Sequence, residues 1–199
     1  MFWSWLDSVL GKTDTEAEQL ATLNALHEIE TSDDRSVAIA VGSFLEEHLT
    51  LALKARFHQD EKILNEMFRI GGALGSFSTK IDMAYLIGLC SKETCKEMHT
   101  IKQIRNEFAH KGMTRNFDSQ RVRDLANNLT FGKKFQITIQ EIDGPSGAAV
   151  GDPVFVSDER DMPKTPREHY VRSCQMIQTF LVHYTNRNCP LPPAPPEHL

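Results

Sequence analysis

The sequence predicts an all-α helical bundle with one small β-hairpin inserted before its last helix, and three observations carry that reading. Val37, Val41, Phe44, Leu45, Leu49 and Ala52 recur at helical spacing. Thr165, Pro166 and Glu168 combine an N-cap, a proline at the first helical position and a capping box. One stretch, FQITIQEI at 135–142, alternates apolar and polar residues as a half-buried strand does.

Taken in order, residues 1–14 form an amphipathic extension. Phe2, Trp3, Leu6, Val9 and Leu10 fall near one helical face, which suits packing on the body of the protein or on a partner subunit better than a membrane anchor. Thr15 and Glu18 make a capping box before EAEQLATLNALHEI, a first helix. Ser32 or Asp33 caps a long second helix running to about Phe57, on whose apolar stripe His48 reads as a satisfied core histidine. EKILNEMF is a short third helix, and RIGGALGSFS, with Gly71, Gly72 and Gly75, is a turn. Ser78 starts TKIDMAYLIGL. Ser91 caps KETCKEMHTIKQIRNEFAH, which Gly112 ends by taking the left-handed conformation. Asp118 or Ser119 caps QRVRDLANNL. The hairpin, FQITIQEI with VFV at 154–156, occupies about 133–157. The last helix opens at Pro166. The tail, 188–199, contains CPLPPAPPEHL and cannot be helical. Residues 15–187 are therefore one helical domain between two extensions.

Composition narrows the function classes. The chain has 199 residues, enough to bury a core without staples. Cys90, Cys95, Cys174 and Cys189 form no CxxC pair, which fits reduced thiols in a cytosolic protein. No secretory signal is expected, and no run of apolar residues is long enough to predict a membrane span. The net charge of −5 argues against a wholly electrostatic nucleic-acid binder. Charge is uneven, however: Thr100–Lys134 holds eight Lys/Arg and three acids, a net +5 that leaves −10 on the rest. Lys111, Arg115, Arg121 and Arg123 are the candidate phosphate contacts there.

The densest chemistry lies in IRNEFAHKG at 104–112. On a helical wheel Ile101, Ile104, Phe108 and Ala109 share one apolar arc and Arg105 falls inside it. Asn106 and His110 lie on its flank, one turn apart. A guanidinium turned inward needs a carboxylate partner, because it cannot shed its proton; Glu46, Glu47 and Asp82 are the candidates. Two readings follow. In the structural one, Arg105 pairs with an acid, Asn106 bonds a loop and His110 caps carbonyls. In the catalytic one, His110 moves a proton at a ribose hydroxyl or leaving oxygen, Arg105 stabilises the phosphorane and Asn106 positions them, which is metal-free RNA cleavage.

GALGSFSTKIDMAYLIGLCSKETCKEMHTIKQIRNEFAHKG, preceded by DDRSVAIAVGSFLEEHLTLAL and followed by TPREHYVRSCQMI, resembles the mannitol operon repressor (MltR) family over residues 15–187. That resemblance implies an all-helical fold and a role in transcriptional regulation without an obvious DNA-binding motif. RNEFAH also resembles the Rx4–6H signature of HEPN domains, many of which are dimeric metal-independent ribonucleases and some of which only bind nucleotides, RNA or proteins. The signature falls on Arg105, Asn106 and His110. The aromatic N-terminus and proline-rich tail lie outside the resemblance.

The expectation is a cytoplasmic, homodimeric regulator without cofactor or metal. It would repress through a DNA-binding protein partner or a weak basic surface, with the ribonuclease acting on RNA as the alternative. Other motifs fall away. Gly11-Lys12-Thr13 lacks the upstream glycine of a phosphate loop, position 6 being leucine. Cys95 and His99, one turn apart with Cys90 nearby, match no standard zinc spacing. QRVRDLANNL is the sole candidate DNA-reading helix, but Lys111–Phe117 leaves no short turn to a preceding helix.

Overall fold

The computed structural model describes residues 32–110, 115–134, 136–139, 153–156 and 163–186. The predicted N-terminal extension, the helix at 16–29, Lys111, Gly112, Phe135 and the proline-rich tail lie outside the described residues. Described are α1 (Asp34–Arg56), α2 (Glu61–Phe68), α3 (Phe77–Leu86), α4 (Lys92–His110), α5 (Gln120–Asn127), the short α6 (Phe131–Lys134), β1 (Gln136–Ile139), β2 (Pro153–Val156) and α7 (Pro166–Asn186). The architecture is an all-α bundle. β1 and β2 pair antiparallel, with Ile137 opposite Phe155.

Local chemistry sets the helix ends. Asp33, not Ser32, caps α1: its Oδ1 accepts from the backbone N–H groups of Arg35 (3.0 Å) and Ser36 (3.1 Å). Ser76 caps α3 by accepting from Thr79 N at 3.2 Å, so that helix begins at Phe77, ahead of the expected Ser78. Ser91 caps α4 through Thr94 N at 3.2 Å. Ser119 stands before α5 without a side-chain cap bond; its hydroxyl accepts from Asn116 N instead. At α7 the capping box closes in both directions. Thr165 Oγ1 accepts from Glu168 N, and Glu168 Oε2 accepts from Thr165 N, both at 3.2 Å. Those contacts, led by the backbone N–H of Lys164, hold the Glu168 carboxyl below its usual range. The glycine loop after α2 is a tight turn: Gly71 has φ +83°, and a Cβ on Gly72 or Gly75 would strike backbone carbonyls of α2 and its C-cap.

α1 and α7 make the most extensive helix pair and start side by side. Arg167 reaches Asp34 at 3.0 Å, and the Tyr170 hydroxyl donates to the Ala38 carbonyl at 2.7 Å. α4 and α3 close the other side of α1. The core runs through Val37, Val41, Leu45, Leu49, Ile81, Met98, Ile101, Ile104, Phe108, Tyr170 and Ile177. Phe108, Phe117 and Tyr170 form a chain of tilted rings, with centroids 4.9 Å and 5.5 Å apart.

Two α1 expectations need correction. Phe44 is 41% exposed, because Ala38, Leu45 and Leu53 shift the buried stripe to one side. His48 is half-buried rather than in the core, its Nδ1 2.8 Å from the Phe44 carbonyl. By length and composition α1 is the one described helix long and apolar enough to cross a membrane, a property that packed core helices share. Its buried residues pack against α7, α4 and α3.

Candidate functional site

α4 carries Arg105 near its end, with Ile104 and Phe108 fully buried on either side. Arg105 is therefore drawn inward, and its side chain is 19% exposed. Its Nη1 donates to Glu46 Oε2 at 2.6 Å. Lys80 Nζ, from α3, donates to the other oxygen at 2.8 Å. One carboxylate thus joins α1, α3 and α4. Among the three acids proposed from sequence, Glu46 takes the role. Glu47 is exposed, and Asp82 pairs with His99. Burial pushes the Glu46 carboxyl up, but hydrogen bonds from Lys80 and then Arg105 outweigh it and hold the group below its ordinary value.

Three further neighbours seat the Arg105 side chain. It lies over the Phe77 ring, 4.9 Å from the centroid. Gly42, in mid-α1, leaves room for it: a Cβ there would lie 3.0 Å from Arg105 Cδ and 2.6 Å from the Tyr170 hydroxyl oxygen. Tyr170 closes the same space from α7, and burial keeps its phenol protonated well above the ordinary range. Gly42, Lys80, Phe77 and Tyr170 were not picked out from the sequence. A glycine inside an amphipathic helix is the signal that would have found the first, since it marks close approach by a neighbour.

The rest of the motif is less convergent. Asn106 is half-buried at its expected flank. His110 is the last residue of α4, as expected, but its side chain lies outside what the structure describes. Ala109 is exposed although the wheel puts it on the apolar arc, and Glu107 is buried where α5 packs along α4.

Those cations of the basic stretch whose side chains are described are engaged with their own chain. Arg121 Nε meets Glu107 Oε1 at 2.8 Å, and Arg115 Nη2 lies 4.0 Å from Glu107 Oε2. Arg123 donates to Gln120, and Lys102 to the Ser78 hydroxyl at 3.2 Å. Chemically, the centre at Glu46 is a partly desolvated cluster of one carboxylate and two cations that ties helices together. The Arg105 guanidinium commits an edge nitrogen to the carboxylate and a face to the aromatic ring.

No protein-family model matches the chain, and neither a curated protein nor a solved structure gives a significant match.

Proposed function

We propose that the chain is a non-enzymatic transcriptional regulator of the mannitol operon repressor type. It works in the cytosol as a homodimer and acts through a protein partner, or a weak basic surface, rather than through a helix-turn-helix of its own. The observation that supports this reading is the Arg105–Glu46 pair at 2.6 Å, under Phe77 and beside Lys80. To stabilise a phosphorane, Arg105 would have to act from a side chain only 19% exposed, with Nη1 held by Glu46 and its ring-facing side on Phe77. A guanidinium held in that way is placed to tie helices together rather than to receive a substrate phosphate. Arg115 and Arg121 sharing Glu107 weakens the basic surface further and favours a protein partner over direct nucleic-acid contact.

The test is an RNA-cleavage assay with chelator present, using wild type beside the Arg105→Ala and His110→Ala variants, with the oligomeric state of each preparation measured by light scattering. The expected result is a dimer that leaves RNA intact. Metal-independent cleavage that disappears in a folded His110→Ala variant would replace this reading with a HEPN-type ribonuclease using Arg105, Asn106 and His110.

A further inference from the structure

The bundle brings a third ligand to two residues that stand one turn apart on α4. Cys95 and His99 are i and i+4 on that helix, so their side chains lie one above the other. Asp82, on α3, faces the same spot: His99 Nε2 and Asp82 Oδ1 are 2.8 Å apart. One ligating atom from each of Asp82, Cys95 and His99 lies within 4.8 Å of the other two. We propose that Asp82, Cys95 and His99 bind a single zinc ion, with one coordination position left open to solvent or to a further ligand.

Three features support the assignment. The donor set is thiolate, imidazole and carboxylate, a mixture that suits zinc and is wrong for calcium or magnesium, which take oxygen. The His99–Asp82 spacing is close to what the ion needs, and the 4.8 Å bound on the three ligating atoms leaves the thiol at most about 1.2 Å to close. Zinc lies about 2.0–2.2 Å from nitrogen and oxygen and about 2.3 Å from sulfur, which puts tetrahedral ligands about 3.3–3.6 Å apart. Seating the ion therefore parts His99 Nε2 from Asp82 Oδ1 by only about half an ångström. The ligands also stand on two packed helices, so the backbone that holds them is already in place. Cys95 and His99 are half-buried, while the Asp82 side chain is 58% exposed, which gives the ion a way in.

Binding breaks the Cys95 S–H bond and forms S–Zn, and the proton leaves to water. His99 gives the Nε2 lone pair with its proton on Nδ1, and Asp82 gives a carboxylate lone pair. In the metal-free protein burial, and then the Asp82 charge, raise the Cys95 thiol above its ordinary value. The ion reverses that balance, because a coordinated thiol is deprotonated outright.

The full chain, stripped with chelator, is titrated with zinc against a chromophoric chelator and separately with cobalt(II) as a spectroscopic probe. One zinc per chain is expected, together with a thiolate-to-cobalt absorption band. Cys95→Ser should abolish that band, and Cys95→Ser and His99→Gln should each weaken zinc binding by about tenfold or more. Cys189→Ser should bind as wild type does. Absence of a thiolate band in wild type overturns the proposal without reference to any variant. So does zinc affinity in folded Cys95→Ser and His99→Gln equal to that of wild type.

Discussion

Replacing Glu46 with alanine removes the one carboxylate shared by Lys80 and Arg105, so two charge-assisted bonds of 2.8 Å and 2.6 Å go at once. Breaking a fully buried pair by deleting one partner costs about 3–5 kcal/mol, because the remaining charge is stranded. Here the three side chains are 10%, 19% and 21% exposed, so water reaches both cations in part. The discounted loss is about 2–4 kcal/mol. Urea unfolding followed by circular dichroism measures it, with m unchanged if the denatured state is unaffected. Glu46→Gln keeps the shape, removes the charge and serves as the pH probe. The Glu46 carboxyl lies below its ordinary value of 4.5 in the fold. Between that value and the folded one the unfolded chain binds more protons, so stability falls as pH falls. The wild-type advantage over Glu46→Gln is therefore full above pH 4.5 and shrinks as pH drops through the folded value. A loss below about 0.5 kcal/mol for Glu46→Ala, the ordinary size of a solvated ion pair, would refute the reasoning. A gap to Glu46→Gln that widens in acid would refute it as well.

Three other substitutions probe the same packing. Phe108→Ala empties a fully buried ring site beside Phe117 and should cost about 3–5 kcal/mol in urea unfolding. A loss well under about 1 kcal/mol would mean that the orientation of α4 is wrong. Gly42→Ala places a methyl 2.6 Å from the Tyr170 hydroxyl oxygen and displaces its bond to Ala38. Overpacking and the lost bond outweigh the roughly 1 kcal/mol that alanine gains in helix propensity, for a net loss of about 1–3 kcal/mol; a stabilised variant in thermal unfolding would contradict the close approach. Thr165→Ala removes the N-cap oxygen of α7 and should lower stability by about 1 kcal/mol, with Thr165→Ser close to wild type in the same denaturant assay.

The sequence by itself determined the elements that depend on near neighbours in the chain. The reciprocal cap at Thr165 and Glu168, the Ser91 cap and the extent of α2 were legible because a cap or a period involves residues three or four apart, whose relation the helix geometry sets. The inward turn of Arg105 belongs to this class, since its angle to Ile104 and Phe108 is a property of one helix. Phe44, His48 and Ala109 depart from the apolar faces that periodicity predicts, because neighbouring helices decide which flank of α1 and α4 is covered, and periodicity alone cannot weigh that. Only the tertiary structure decided which acid meets Arg105, that Glu107 takes up Arg121, and that Asp82 comes to His99. Those pairings depend on how far one helix slides along another and at what angle they cross. Side chains from several helices settle both together, through the room Gly42 leaves and the shared core to which Ile81, Ile101 and Tyr170 belong, and no short stretch of chain encodes them.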